Sequence, residues 1–297
     1  MKLSDKSKGI IYIFLSITAY SLMPILIRKL DSGNLPPMSQ VFLRYCVAFI
    51  CASVYFVIRK QKLNFKKGNI VLLIITSIIG YGIMNLIYTY SMLYTEVSNA
   101  LFLFYFSSVI TPILGYFFLK EKLNKYNLLS ITIAFVALLF LFQPTSVATW
   151  KLGGVFGILS ALTWAFYLIA RKKLKEYSSE LILLSSTFFG LITVGSMALI
   201  FENDFYFGVE GINDLTSETW LLTVLFGVLN FAGWYFVSKG FEFVKASTGS
   251  LIMLVENVVV GIFAFLFLEE LPSWGTIIGG FFIMIAAIIT ILKGDNT

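Results

Sequence analysis

The chain has 297 residues, of which 58% are hydrophobic and 13% are charged, and its mean hydropathy is +0.88. These values exclude a water-soluble globular protein and indicate an all-α integral membrane protein. The lack of histidine excludes histidine-based catalysis and histidine metal sites, and no cofactor is predicted. The net charge is +6, but the basic residues are scattered between apolar runs, so nucleic acid is not predicted as a partner.

Ten apolar runs follow one another along the chain, and each approaches the roughly 20 helical residues that a bilayer core of about 30 Å requires. We call them spans 1 to 10, at residues 10–28, 39–58, 70–93, 98–119, 126–142, 152–170, 180–201, 220–237, 246–268 and 274–292. The connectors are short, and the longest, 202–219, has no room for a soluble catalytic domain. The sequence therefore predicts one membrane domain of ten transmembrane helices.

Lysine and arginine are distributed unevenly between the connectors. Of the 22 such residues, 18 lie in the two terminal segments and in every second connector, whereas Arg28, Lys29 and Lys151 lie in the other connectors and Arg44 lies within span 2. Because an excess of basic residues marks the cytoplasmic side of a membrane, we expect a multi-pass protein of the cell membrane with both termini in the cytoplasm.

Short motifs of the first half recur in the second half. Residues 16–20 (SITAY) with 28–30 (RKL) resemble 160–164 (SALTW) with 171–174 (RKKL), an offset near 144. Residues 97–101 and 118–121 resemble 246–251 and 267–270, an offset of 149. The pattern predicts two repeats, 1–148 and 149–297, with five helices each. Because five is odd, the second repeat enters the membrane from the opposite side, which makes the repeats inverted.

Span 4 contains a proline, Pro112, in its interior. Proline cannot donate a hydrogen bond to the carbonyl of Ser108, and its ring crowds the preceding turn, so span 4 is predicted to kink. The freed carbonyl needs a partner, which either a water-filled cavity or a neighbouring helix could provide.

Amides and aromatic rings recur at helical spacing within the spans. Asn85 and Tyr88 lie three apart in span 3, and Asn230 and Trp234 lie four apart in span 8. Such spacing places each pair on one helix face, and Ser108 with Thr111 forms a similar polar face in span 4. These faces predict the lining of a solute cavity, with hydrogen bonding between helices in the absence of any ligand as the alternative.

Glu256 lies near the middle of span 9, where an ionised carboxylate costs about 2.5–3.5 kcal/mol unless it is paired, protonated or hydrated. Arg44, the only other charge deep within a span, lies roughly 10 Å nearer the outer surface, so a direct pair would be stretched or bridged by water. We expect Glu256 to bind an amino group of the solute or to carry a proton, with Asn257 and Met253 beside it. The alternative is a structural carboxyl group bonded to neighbouring hydroxyl or amide groups.

The motifs of spans 4 and 9 carry a resemblance to a known family. Taken together with Trp164 and with Pro37 followed by Arg44, they resemble the EamA-type repeat of the drug/metabolite transporter superfamily. The residues concerned are Ala100-Leu101, Thr111-Pro112 and 118–123 in the first repeat, and 249–251, 268–272 and Gly279-Gly280 in the second. The second repeat departs from the pattern at Val260-Gly261, where it has no counterpart of Pro112.

The resemblance implies a central cavity between spans 1, 3, 4, 6, 8 and 9, and adds Tyr20 and Trp164 to the candidate substrate-binding residues. It implies relatives that export amino acids or carry other metabolites. Glu121 and Glu270 match the family's motif at the ends of spans 4 and 9, where we expect them to act as structural anchors.

The function expected from these features is transport rather than catalysis. We expect a carrier that moves a small organic solute, an amino acid or a related metabolite, by alternating access, with a proton as a candidate coupling ion and the lipid bilayer as its surroundings. A membrane-embedded enzyme acting on a lipid-linked substrate is the alternative, but it would require clustered nucleophiles or acid/base pairs at one depth. A non-transporting scaffold would not need the polar residues Asn85, Asn230 and Glu256.

Overall fold

A computed structural model describes residues 4–60, 69–95, 97–141, 147–208, 211–268, 271 and 273–293. The regular secondary structure of these residues is entirely helical. The first half contains α1 (Asp5–Tyr20), α2 (Met23–Ser32), α3 (Pro37–Ile58), α4 (Ile70–Ile75), a π-helical segment (Thr76–Ile83), α5 (Met84–Tyr94), α6 (Val97–Tyr105), α7 (Ser107–Leu119) and α8 (Lys125–Leu141). The second half contains α9 (Val147–Lys173), α10 (Ser179–Phe201), α11 (Asn203–Phe207), a 3₁₀ turn (Ile212–Asp214), α12 (Ser217–Phe243), α13 (Ala246–Met253), α14 (Val255–Leu268) and α15 (Trp274–Lys293).

Eight helical stretches among the described residues are long and apolar enough to cross a membrane. They coincide with spans 1 to 4 and 6 to 9, so the prediction of an all-helical membrane fold is confirmed. Spans 5 and 10 coincide with shorter apolar helices, Lys125–Phe140 and Ile277–Lys293, and the count of ten transmembrane helices therefore stays a prediction. These two shorter helices belong to α8 and α15, which pack against each other.

The basic residues of the two halves meet at one end of the bundle. Lys8 lies over the ring of Phe243, and Lys173 lies over the ring of Phe118. Arg171 forms an ion pair with Glu242 at 3.0 Å. We call this end of the bundle the basic end. At the opposite end, the Arg28 guanidinium donates to the carbonyl of Thr95 at 2.7 Å.

Spans 4 and 9 are each interrupted once, at Phe106 and at Leu254. A tight turn follows each interruption, since the amide of Val109 donates to the Phe106 carbonyl and the amide of Asn257 donates to the Leu254 carbonyl, both at 3.0 Å. The interruption in span 4 thus lies before Pro112, and α7 continues as a helix through the proline. The corresponding interruption in span 9 occurs without any counterpart of Pro112, so the proline is not required for a break at this position.

Span 3 is widened in its middle by the π-helical segment Thr76–Ile83. Two glycines there allow close contacts, because a Cβ atom on Gly80 would lie 3.0 Å from Cβ of Tyr167 and one on Gly82 would lie 3.2 Å from Cα of Gly190. The Tyr81 carbonyl accepts hydrogen bonds from the Tyr45 hydroxyl at 2.8 Å and from the side-chain amide of Asn85 at 2.9 Å. The segment is therefore held on three sides by α3, α9 and α10.

Two carboxylates cap helices that are distant in sequence. Glu202 accepts from the amides of Met38 and Ser39 at 2.9 and 2.8 Å, at the start of α3. Glu121, beyond the end of α7, accepts from the amides of Ala246 and Ser247 at 2.8 and 3.1 Å, at the start of α13. Glu121 therefore joins the halves at the basic end. The other expected anchor, Glu270, lies outside the described residues.

Candidate functional site

A small cavity lies at the centre of the bundle, between α1, α2, α5, α6, α9, α12, α13 and α14. Its volume is about 30 Å³, which is enough for one or two water molecules. An organic solute therefore requires the surrounding helices to move apart before it can bind. The cavity is lined by Tyr20, Met23, Met84, Asn85, Tyr88, Phe104, Trp164, Trp234, Met253 and Glu256.

Seven of the ten candidate substrate-binding residues line this cavity. They come from five predicted spans, 1, 3, 6, 8 and 9, which are among the six that the family resemblance implied, and Phe104 of span 4 lines the cavity as well. Their binding of a solute stays a prediction. The seven are Tyr20, Asn85, Tyr88, Trp164, Trp234, Met253 and Glu256.

The other three candidates are buried beside the cavity and bonded to the protein itself. The Asn230 side-chain oxygen accepts from the Tyr81 hydroxyl at 2.6 Å. The Ser108 hydroxyl donates to the Ser250 carbonyl at 2.8 Å. The Asn257 side-chain amide donates to the Leu254 carbonyl at 3.2 Å. In this conformation, these contacts match the alternative of interhelical and local hydrogen bonding better than direct exposure to a solute.

Three lining residues were not predicted, namely Met23, Met84 and Phe104. Each lies within one helical turn of a predicted residue, since Met84 adjoins Asn85, Met23 follows Tyr20 by three and Phe104 precedes Ser108 by four. That proximity in the sequence was the signal that could have identified them as lining residues. Because 58% of the chain is hydrophobic, methionine and phenylalanine side chains alone could not mark a cavity.

Glu256 is the charged group of the cavity wall, and its side chain is only 3% exposed. It is the second residue of α14, where the interruption at Leu254 places a helix N-terminus inside the bundle, and the positive end of a helix dipole favours a carboxylate. The Tyr105 hydroxyl lies beside the carboxylate without a well-formed hydrogen bond to it. Among the described residues, no lysine or arginine forms an ion pair with Glu256.

A cluster of aromatic rings centred on Trp234 forms one wall of the cavity. The Trp234 ring packs edge-on against Tyr81, Tyr167 and Trp164, with centroids 4.4, 4.6 and 5.2 Å apart. Tyr20 meets Trp164 edge-on at 6.2 Å. The cluster joins α1, the π-helical segment, α9 and α12, and therefore links elements of both halves through rigid side chains.

Arg44 lies directly behind the Asn85 side chain and is fully buried. Its NH2 group donates to Oδ1 of Asn85 at 3.1 Å, and its guanidinium carbon lies 4.5 Å from the centroid of the Phe226 ring. Its Nε and NH1 atoms make no hydrogen bond. Arg44 forms no ion pair with any carboxylate that the structure describes, so the stretched contact with Glu256 does not form.

A second and much larger pocket lies at the end of the bundle opposite the basic end, where α2 ends and α12 begins. Its volume is about 930 Å³. This pocket was not predicted from the sequence, because its walls combine residues of α2, α11 and α12 with the loops between them. Its lining comprises Lys29, Ser32, Gly33, Asn34, Phe205, Gly211, Asp214, Leu215, Thr216, Glu218, Thr219 and Leu222.

Comparison with known proteins gives matches that extend over nearly the whole chain. The model of the EamA-like transporter family matches residues 7–143 and again residues 151–292. A solved crystal structure superposes with a TM-score of 0.75, covering 98% of this chain and 100% of that chain at 16% sequence identity. At this identity, the likeness to the crystal structure concerns the fold alone.

Several curated relatives have names that describe transport. An uncharacterized transporter of Clostridium kluyveri is 25% identical over 294 residues, covering 95% of this chain and 92% of the relative. The pseudopaline exporter CntI of Pseudomonas aeruginosa is 22% identical over 290 residues and covers 97% of both chains. Solute carrier family 35 member G1 of Mus musculus is 20% identical over 292 residues, covering 94% of this chain and 76% of the relative. These names indicate a transporter rather than an enzyme.

Proposed function

Since the chain belongs to the EamA-like transporter family of multi-pass membrane proteins, we propose that it is a secondary carrier that moves a small organic solute by alternating access. Ten spans form two inverted repeats, residues 1–148 and 149–297, and both termini lie in the cytoplasm. The two matches to the family model support this arrangement. The interruptions at Phe106 and Leu254 support it as well, because they occur 148 residues apart in corresponding spans.

The carboxylate of Glu256 is the observation that carries the proposal. It faces a central cavity and has no ion-pair partner among the described residues. In such a site an unaccompanied carboxyl group is most stable as the neutral acid, whereas an arriving ammonium group stabilises the carboxylate. The site then binds a proton or a cationic solute but not both together, which couples their movements in opposite directions.

The solute that fits this site is an amino acid or a related metabolite with an amino group. Glu256 would bind the amino group, while Asn85 and the hydroxyl groups of Tyr20 and Tyr88 offer hydrogen bonds, and the tryptophan and methionine side chains offer apolar contact. The name of the Pseudomonas aeruginosa relative, a pseudopaline exporter, supports export as the direction of transport.

Alternating access requires each end of the bundle to open in turn. In the present conformation Glu121 joins α7 to α13 at the basic end, and Glu202 joins the end of α10 to the start of α3 at the opposite end. Because both contacts connect the two halves, rocking of one half against the other would break one while the other is kept.

The test is transport by the purified protein in liposomes, measured as counterflow with a panel of amino acids and amines at several pH values. Wild type should exchange at least one solute at a rate that depends on pH. Glu256→Gln should fold normally but lose the pH dependence and about tenfold or more of the rate, since it removes a charge-assisted contact in a desolvated site.

Glu180→Gln is the matched control, because Glu180 is a buried carboxylate of α10 that pairs with Lys239 at 3.5 Å and does not line the cavity. It should keep both the rate in saturating solute and the pH profile. Normal transport by Glu256→Gln with the normal pH profile would show that Glu256 is structural. Lack of exchange of every solute by wild type would refute the carrier function itself.

A further inference from the structure

We propose that Arg44 is an anion-binding residue of the carrier and that it receives a carboxylate group of the solute. This inference rests on the proposed carrier function, which it makes more specific. With Glu256 binding a positive group and Arg44 binding a negative one, the substrate class becomes amphoteric molecules that carry an amino group and a carboxylate.

The first argument is that Arg44 lacks a counter-charge within the described protein. A buried guanidinium is stable when its N–H groups are bonded and a negative charge lies nearby. In Arg44 the Nε–H and both N–H groups of NH1 have no acceptor, and Phe226 and Asn85 contribute no charge. A carboxylate provides two acceptor oxygens and one negative charge, which are what this guanidinium lacks.

Arg171 shows how this chain accommodates a buried arginine in a structural role. Its side chain is 1% exposed, and its Nε atom donates to Oγ of Ser238 at 2.7 Å. Its NH2 group donates to Oγ of Ser179 and to Oε1 of Glu242, both at 3.0 Å. Together these contacts link α9, α10 and α12. Arg44 has no comparable set among the described residues, which points to an acceptor from outside the chain.

The second argument is position. The Asn85 side chain that accepts from Arg44 also lines the central cavity, so the guanidinium lies directly behind the cavity wall. On its other side, Phe226 lies one helical turn from Leu222, which lines the large pocket at the opposite end. Arg44 is therefore located between the pocket and the cavity, where a solute entering from that end would pass.

The two charges act on a common region. Tyr88 lines the cavity together with Glu256, and it lies one helical turn from Asn85, which accepts from Arg44. Arg44 lies seven residues beyond the start of α3, which is at the opposite end of the bundle. Glu256 lies ten residues beyond the start of α13, which is at the basic end. Arg44 is therefore closer to the opposite end than Glu256 is. A solute between them would direct its carboxylate toward the opposite end and its amino group toward the basic end.

The experiment compares amino acids with the amines that lack only the carboxylate: leucine with isoamylamine, phenylalanine with phenethylamine, and lysine with cadaverine. Binding to the purified full-length protein is measured as the shift of Tm with concentration. Wild type should bind the acid of at least one pair about tenfold more tightly than the amine. Arg44→Met should lose this preference, and Arg44→Lys should retain part of it.

A readout without ligand separates a binding role from a structural one. Arg44→Met removes an uncompensated charge and should leave the Tm unchanged or higher, whereas Arg171→Met strands Glu242 and should lower it. The proposal is overturned if Arg44→Met keeps the wild-type preference for acids or if no acid shifts the Tm of wild type. It is equally overturned if Arg44→Met without ligand loses as much Tm as Arg171→Met.

Transport measurements distinguish this inference from the carrier function on which it rests. If wild type exchanges acids and amines equally well in liposomes, the carrier function stands and the role of Arg44 is refuted. If acids bind with a preference that depends on Arg44 but no solute is exchanged, the anion site stands and the carrier function is refuted.

Discussion

Glu121 illustrates how one side chain can hold two halves of a bundle together. Its carboxylate accepts two amide hydrogen bonds from the first residues of α13 and one from the Ser247 hydroxyl at 2.7 Å. The side chain packs against Gly115, where a Cβ atom would lie 3.1 Å from Oε2. A helix cap of this kind contributes about 1 kcal/mol, and the negative charge at the helix N-terminus adds to it.

We therefore predict that Glu121→Gln loosens the basic end. The amide keeps one acceptor but loses the charge, so the closed arrangement should be weakened by about 1 kcal/mol and the Tm lowered by a few degrees. A cysteine placed at Ser250, which lies next to Ser108, should react faster with a thiol reagent added from the basic side.

The labelling is done in a protein whose Cys46 and Cys51 have been replaced by serine. Glu218→Gln, a change in the large pocket at the opposite end, is the control and should leave the labelling rate at residue 250 unchanged. An unchanged rate in Glu121→Gln would mean that this cap does not close the basic end.

The sequence identified single charges better than it identified their neighbours. Glu256 could be singled out because a carboxylate in an apolar run requires an explanation by itself. The surroundings of Arg44 could not be found in the same way, because Asn85 and Phe226 belong to other helices and their contact depends on how those helices pack. Helical spacing relates residues on one element and carries no information about the facing element.

Among the elements, α5 and α12 differ in how well helical spacing predicted which residues line the cavity. Asn85 and Tyr88 share a face and both line the cavity, whereas of Asn230 and Trp234 only the tryptophan does. The side-chain oxygen of Asn230 instead accepts from the hydroxyl of Tyr81, a residue of the π-helical segment. A contact with a facing element thus decides whether a residue on a predicted face lines the cavity.

Cysteine substitution along these faces should reproduce that division. In the protein without Cys46 and Cys51, cysteines at Tyr88 and Trp234 should react with a small polar thiol reagent from at least one side, and a bound solute should slow the reaction. A cysteine at Asn230 should react more slowly than either. Val228, a 41% exposed residue on the outer surface of α12, serves as the lipid-facing control and should remain unreactive. Equal and negligible reaction at every position would identify these faces as dry packing surfaces.

For the molecule as a whole, the fold class could be predicted from composition, whereas the number of spans that cross the membrane could not. Spans 5 and 10 are carried by α8 and α15, with 17 and 20 residues. A 17-residue helix is about 25 Å long, which is less than a bilayer core of about 30 Å. Hydropathy marks such a helix as apolar, yet whether it crosses the membrane depends on its tilt and on the packing of α8 against α15.

The topology prediction tests this count. Reporters fused after Lys125, Lys175 and Lys293 should lie in the cytoplasm, and reporters fused after Thr95 and Asp214 should lie outside, because basic connectors are retained on the cytoplasmic side. The reporters after Lys125 and Lys175 lie on the same side whether both of spans 5 and 6 cross or neither does, so a reporter after Lys151, expected outside, tests whether both cross. A cytoplasmic reporter at Asp214 would contradict both the ten spans and the inverted repeats.

The π-helical segment Thr76–Ile83 would allow α5 to rotate about its own axis. Each turn of a π-helix contains an extra residue relative to an α-helix, so returning one residue to α-helical geometry would rotate everything beyond it by about 100°. Asn85 and Tyr88, which lie beyond the segment, would then turn away from Arg44 and the cavity, while α4 before the segment keeps its orientation. Distances between spin labels on α4 and α5, measured with and without solute, would reveal such a rotation. Conversion between π-helical and α-helical geometry in one helix could then expose or bury a binding face without displacing the surrounding helices.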